Sequence, residues 1–363
     1  MLYHLFYSLK DIFFGFNVFR YITFRAVGAI ITAFLLSIIF GPYLIKLLKN
    51  LNIGERIRSR EEVPGIYPMH KDKEGTPTMG GVIMLISILI TTILWARLDN
   101  RYILLTIFAT LWLGTVGFID DYRKLTAKKG NGLSKKTKFT GQIILGLIIG
   151  IVLFLDTNVG SSIYFPFFKN IAFNVGILYI FFVMFVIVGT SNAVNLTDGL
   201  DGLAIGCMVM VALAYAIISY IVGNSQLSNY LFIYYVPGTG ELSIYCAAII
   251  GAGLGFLWFN SYPATVFMGD VGSLALGGGI GVVACCIKKE ILLLIVGGIF
   301  VFEAISVILQ VTIFKIKRRR VFLCAPFHHH LEMKGWPESK IVVRFWIVAA
   351  ILALFTLMTL KLR

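Results

Sequence analysis

Apolar runs long enough to cross a bilayer recur along this chain, and that repetition limits what it can fold into more than any other feature. A helix needs about 17–25 mostly apolar residues to span roughly 30 Å of hydrocarbon. Runs near that length fall at 21–47, 79–96, 102–119, 140–155, 176–194, 203–222, 243–259, 271–287, 291–314 and 342–360. They lack the alternation of an outer-membrane barrel. The chain therefore reads as an all-α polytopic membrane protein, with about ten transmembrane helices in a single bundle. Composition agrees, at 58% hydrophobic and 14% charged, against about 45–50% and about 25% in soluble domains. No loop exceeds about thirty residues, so residues 1–363 read as one integral membrane domain rather than two. Residues 1–20 lack a signal-peptide pattern and read as an amphipathic segment lying in the interface. The cysteines (Cys207, Cys246, Cys285, Cys286 and Cys324) show no metal spacing and read as small apolar packers.

Lysine and arginine counts orient the bundle. The loop after the first run holds Arg56, Arg58, Arg60, Lys71 and Lys73. The loop after the third holds Arg123, Lys124, Lys128, Lys129, Lys135, Lys136 and Lys138. The loop after the ninth holds Lys315, Lys317, Arg318, Arg319, Arg320, Lys334 and Lys340. The opposite loops offer Arg97, Arg101, Lys169, Lys288 and Lys289. The positive-inside rule puts the rich loops in the cytoplasm and both termini outside. The net charge of +14 is partly this topology signal and partly attraction to anionic lipid head groups. No zinc finger or nucleic-acid motif accompanies it, so nucleic acid is not an expected partner.

The unusual polar residues collect on that same face. "GFIDDYRK" (117–124) ends the third run with Asp120 and Asp121 side by side, and adjacent carboxylates near hydrocarbon repel strongly, so a cation is expected there. "SNAVNLTDGLDGLAIG" (191–206) carries Asn195, Asp198 and Asp201; "WFNSYPATVFMGDVGS" (258–273) carries Asn260 and Asp270; "APFHHHLEMKG" (325–335) carries His328, His329 and His330. A lone aspartate at a helix end is more often a cap or a solvated group. Four such segments on one face argue against that reading for all of them. Carboxylates and amide oxygens from several loops suit a hard divalent cation such as magnesium. Lysines and glycine-rich turns suit phosphate oxygens. Together they suggest phosphoryl chemistry on a metal-neutralised diphosphate at the lipid–water boundary. Neighbouring histidines rarely aim three imidazoles at one ion, so phosphate binding or proton handling is preferred to a zinc site. "KIKRRR" (315–320) reads as a cytoplasmic anchor, and Glu303, inside the ninth run, is the main charged residue without an account.

Five motifs, "TPTMGG" (76–81), "GFIDDYRK", "NAVNLTDGLDGLA" (192–204), "FMGDVGSL" (267–274) and "APFHHHLE" (325–332), occur in the order seen in the phospho-N-acetylmuramoyl-pentapeptide transferases, the MraY or translocase I family, which the chain resembles over almost its whole length. The aspartate motifs alone resemble the wider polyprenyl-phosphate N-acetylhexosamine-1-phosphate transferases; "APFHHHLE" is similar to this branch specifically. The resemblance implies a magnesium-dependent transfer of phospho-N-acetylmuramoyl-pentapeptide from its UDP carrier to undecaprenyl phosphate, giving lipid I and UMP. It also implies a cytoplasmic cleft in the bacterial inner membrane, membrane lipid as surroundings, and a homodimer. By the same resemblance Asp270, Asp120 and Asp121 hold the metal, with Asp120 the candidate base and His328, His329 and His330 in the catalytic set. Asn195, Asp198 and Phe267 fall to the uridine pocket. Lys73, Lys128 and Lys136 resemble site lysines, with Lys71 and Lys129 as alternates. Thr78 and Asp201 are included as substrate contacts, and Asn260 and Gln310 as polar positions near the site. A double displacement through an aspartyl-phosphate is the alternative chemistry. A sibling enzyme using UDP-N-acetylglucosamine and an ion-coupled transporter are the alternative functions. Transporter sites usually lie at the bilayer midplane between repeated halves, whereas these acidic residues sit at span ends.

Overall fold

The computed structural model describes residues 1–51, 73, 75–126, 132–167 and 172–361. Among them nine helices are long and apolar enough to cross a membrane. These are α2 (Ile22–Asn50), α4 (Arg101–Thr126), α5 (Lys135–Leu155), α6 (Leu178–Thr197), α7 (Leu203–Val222), α9 (Leu242–Asn260, entered through a 3₁₀ turn), α10 (Gly269–Cys286), α12 (Gly298–Lys317) and α14 (Glu338–Thr359). The expected second span is α3 (Gly81–Trp95), only 15 residues, or about 22 Å at 1.5 Å per residue. The short elements are α1 (Leu2–Ser8), α8 (Ser225–Leu231), α11 (Leu293–Val296), α13 (Phe327–Met333) and a hairpin of β1 (Ser162–Tyr164) with β2 (Ala172–Asn174). The expected ninth run, 291–314, is thus two helices, α11 and α12, divided at Gly297.

Small residues set the packing. On α2 the buried positions Arg25, Ala29, Ala33, Ser37, Gly41 and Ile45 recur every four residues, which places them on one face of a helix. That face meets α9 so closely that a Cβ on Gly251 would lie 2.1 Å from the Ile30 carbonyl oxygen. Val27, Ile31, Leu35 and Ile39 point the other way and are exposed. An exposed apolar face is stable where hydrocarbon is the solvent, and small residues are what let spans approach there. At the centre lies α10, with 94% of its apolar window buried, against α4, α6 and α3.

The ends remote from "GFIDDYRK" are more charged inside than the sequence suggested. Arg25 and Glu241 form a buried two-point ion pair at 2.6 and 2.7 Å. Lys288, counted as an outer-loop charge, is fully buried. Its ammonium lies 3.8 Å from the centre of the Tyr179 ring, and the Tyr179 hydroxyl donates to Glu290 at 2.7 Å. Residues 1–20 lie against this end through Phe19 stacked on Trp95, while Ile12, Phe13 and Phe14 are exposed.

Candidate active site

The two aspartates do not end their helix. α4 runs on through Thr126 and buries both of them. One turn earlier on the same face, Gly117 makes room: a Cβ there would lie 2.3 Å from the Asp270 carbonyl oxygen. The α4 and α10 backbones therefore touch at this point, which brings Asp120 and Asp121 onto Asp270. The three carboxylates come within 4.8 Å of one another. Replacing Gly117 with alanine forces backbones apart, and overpacking of this kind costs about 1–3 kcal/mol. Thermal unfolding of the purified variant should show that loss together with reduced turnover.

Each carboxylate has its own stabiliser. Asp121 Oδ2 accepts from the Val271 N–H at 3.2 Å, at the start of α10, where orphan N–H groups and the helix dipole favour an anion. Asp120 Oδ1 accepts from the Leu133 N–H at 2.6 Å. Asp270 Oδ1 accepts from the Asn195 amide, whose nitrogen also donates to Ser273 Oγ at 2.8 Å. The shared cation is Lys124, with Nζ 2.8 Å from Asp120, 3.2 Å from Asp121 and 2.8 Å from Asp270. Lys138 adds a second ammonium 2.7 Å from Asp270 Oδ2. The repulsion expected of the adjacent pair is thus offset by two lysines and by backbone N–H groups.

Three convergent carboxylates are a hard oxygen donor set, the kind that holds a divalent cation. Lys124 touches all three, so the set already accommodates positive charge at its centre. The residues present, Asp120, Asp121 and Asp270, fit a divalent cation.

A second group lies beside the first. Lys73 Nζ donates to Asp201 Oδ1 at 2.6 Å and to Glu338 Oε1 at 2.7 Å, and stands 5.9 Å from the centre of the Phe267 ring. Burial works against the Lys73 ammonium, but Glu338 and Asp201 outweigh it and raise its pKa. Lys73 therefore stays charged at neutral pH. Phe267 itself is placed by backbone bonds, its N–H to Pro77 O and its carbonyl from Gly80 N–H, both 2.8 Å. Thr78 and Asp121 flank Gly269, which has φ +72°; a Cβ there would meet Asp121 Oδ2 at 2.6 Å and Thr78 Oγ1 at 3.1 Å.

The other expected site residues take the following places. Asn195, assigned to a uridine pocket, is bonded to Asp270 in the carboxylate cluster. Asn260 is buried, with Oδ1 accepting from Gly202 N–H and Nδ2 donating to Val266 O; it ties two loops together. Gln310 accepts from the Val321 and Phe322 N–H groups and donates to Phe322 O, which makes it a local staple. Asp198 closes the C-terminus of α6. Lys136 is exposed on the first turn of α5, and the lysine two residues on, Lys138, reaches the carboxylates. Lys128, with Lys71 and Lys129, lies outside the described residues. Lys138→Ala is expected to lower turnover at least tenfold further than Lys136→Ala, since a charge-assisted bond in a partly buried site is worth about 1.5–3 kcal/mol. Equal effects on turnover would count against this assignment.

The histidines point three ways. His328 is fully buried, its Nδ1 3.3 Å from Glu303 Oε2, and its Nε2 lies against Gly199. His329 Nδ1 pairs with Glu332 at 2.6 Å. His330 Nδ1 accepts from the Leu323 N–H at 3.1 Å, and its burial, then Lys334, lower its pKa. Glu303 gains an account here: its carboxylate accepts from the Phe327 and His328 N–H groups at 2.7 and 3.1 Å and so caps α13. Sequence reasoning missed Lys124, Lys138, Ser273 and Glu338. Only Lys124 carried a usable signal, lying three and four residues beyond the aspartates, where helix side chains meet.

Comparison with known proteins points the same way. Residues 102–288 match the family profile described as glycosyl transferase family 4, and residues 73–85 match phospho-N-acetylmuramoyl-pentapeptide-transferase signature 1. The chain is 53% identical to a phospho-N-acetylmuramoyl-pentapeptide-transferase of Desulfotalea psychrophila and 53% identical to one of Citrifermentans bemidjiense. It is 50% identical to one of Syntrophus aciditrophicus. Each alignment covers 100% of both chains.

Proposed function

The chain belongs to the phospho-N-acetylmuramoyl-pentapeptide-transferase family, and we propose that it transfers phospho-N-acetylmuramoyl-pentapeptide from UDP to undecaprenyl phosphate, at the carboxylate cluster of α4 and α10 and with magnesium. An oxygen of the lipid phosphate bonds to the β-phosphorus of the UDP-linked donor. The bond from that phosphorus to the bridging oxygen breaks, and UMP leaves with the bond's electron pair, so that the products are lipid I and UMP. Asp120, Asp121 and Asp270 would hold the magnesium, which when bound neutralises diphosphate charge. Lys124 and Lys138 bring two further positive charges to the same point, where transferring phosphoryl oxygens need them. Lys73 and the Phe267 ring offer a cation and a stacking face for the nucleotide end.

The observation that carries this reading is the convergence of three buried carboxylates around Lys124. Asp120 is a positioning group in it rather than a base. A phosphate monoester has a second pKa near 6 and is already mostly dianionic at neutral pH, so little proton remains to be removed. The histidines, on this reading, shape the Asp198–Asp201 loop through His328 and Gly199. The bundle sits in the bacterial inner membrane as one domain, with the cluster on the cytoplasmic side, both termini outside, residues 1–20 in the outer interface and a second copy as partner. The lysine-rich loops beside the cluster support that orientation.

The test is UMP release by purified protein with undecaprenyl phosphate, comparing UDP-N-acetylmuramoyl-pentapeptide with UDP-N-acetylglucosamine. Turnover with the muramoyl donor alone, abolished by chelation, is the expected result. Turnover with the glucosamine donor would move the protein to the sibling branch, and no turnover with either would overturn the reading.

A further inference from the structure

One carboxylate in the second group comes from a place the family motifs do not reach. Glu338 is the first residue of α14, and its side chain bonds outside its own helix. It crosses to the loop between α6 and α7, where Oε1 accepts from the Asp201 N–H at 2.7 Å and from Lys73 Nζ at the same distance. Two turns along α14, Trp346 donates its indole N–H to the Gly202 carbonyl at 3.1 Å. The final span thus holds two consecutive loop residues from both sides, one by its N–H and the next by its C=O.

Asp201 spends its side chain in keeping with this grip. Oδ1 accepts from Lys73 and Oδ2 accepts from the Ala264 N–H at 2.9 Å, in the segment that leads to Phe267. Glu338 side-chain exposure is only 10% and that of Asp201 only 3%, so little water is available to replace either bond. Four separate segments (Lys73, the Asp201 turn, the Ala264–Phe267 stretch and α14) therefore share one ionic knot.

We propose that Glu338 is a positioning residue for the nucleotide end of the UDP-linked donor. It fixes Lys73 and the Asp201 turn in the arrangement that receives the donor, and it takes no part in phosphoryl transfer. This rests on the function proposed above. Losing Glu338 strands a buried N–H and loosens a lysine beside the Phe267 ring, far in sequence from the carboxylates of the reaction.

Steady-state kinetics on Glu338→Ala and Glu338→Gln separate this role from a structural one. Leaving a buried donor unpaired costs about 1–3 kcal/mol, or roughly 5–150-fold. The KM for the UDP-linked donor should rise by about tenfold to a hundredfold in Glu338→Ala, with kcat within about threefold and the KM for undecaprenyl phosphate unchanged. Glu338→Gln keeps an acceptor oxygen and should recover most of the donor KM. It also stands in where the alanine variant fails to fold, because its loss of charge alone should still raise the donor KM a few-fold. An unchanged donor KM in folded variants, or a fall in kcat alone, overturns the inference while leaving wild-type activity intact. Absence of wild-type turnover overturns the proposed function, and this inference with it.

Discussion

Asp270→Asn should abolish nearly all turnover while leaving the protein folded. The substitution keeps the shape of the side chain and removes the charge on which the cluster converges. Lys124 and Lys138 both reach Asp270 Oδ2, at 2.8 and 2.7 Å, and an amide nitrogen placed there would oppose two ammoniums. With Oδ1 already taken by Asn195, the asparagine can turn its oxygen to only one of its two sides. Removing one preorganised group from a site of developing charge costs about 10²–10³ in rate, and here the same change also removes one of the three carboxylates that converge there. A fall of about a thousandfold or more in kcat, with an unfolding midpoint close to wild type, is the expected outcome. Retention of more than a tenth of wild-type activity would show that the chemistry lies elsewhere.

The largest loss of stability should come from the opposite end of the molecule. Arg25 and Glu241 are 1% and 7% exposed in their side chains. Glu241 also accepts from the Arg97 N–H at 3.0 Å, and Arg25 donates to the Trp95 carbonyl. Arg25→Ala would leave a carboxylate buried without its partner, a change that typically costs about 3–5 kcal/mol. Replacing both residues by apolar side chains of similar size should recover most of that, because a buried pair repays little beyond its own desolvation. Thermal unfolding of the single and double variants distinguishes the cases. A single variant within about 1 kcal/mol of wild type would mean that water reaches Glu241.

These two regions differ in how much the chain announced them. The aspartate segments could be placed on one face from hydropathy and charge alone, because span ends and loop lysines are local signals. Lys124 was readable too, at helix spacing from Asp120 and Asp121. Choosing Lys138 over Lys136 was not, since that depends on which way the first turn of α5 faces. Glu338 and Glu241 owe their roles to partners 137 and 216 residues away, and no periodicity reports such a distance. Gln310 and Asn260 stood out because they are polar near the site; Gln310 bonds backbone groups of the segment after its own helix, and Asn260 bonds one group in the α6–α7 loop and one in the segment that follows it. Lys288 counted as a surface charge by sequence, and only the packing of Tyr179 and Glu290 around it buries it.

The depth of α10 has a consequence for how the protein meets different membranes. That helix is 94% buried over its apolar window, whereas α2 and α12 are 22% buried and α14 is 33% buried. A bilayer a few Å thinner or thicker exerts its mismatch on helices that face lipid, and these respond by tilting. The sheathed helix has almost no lipid-facing side on which such a force can act. The height of Asp270 is therefore set by protein neighbours, so acyl-chain length should alter how readily the lipid substrate arrives far more than the geometry it finds.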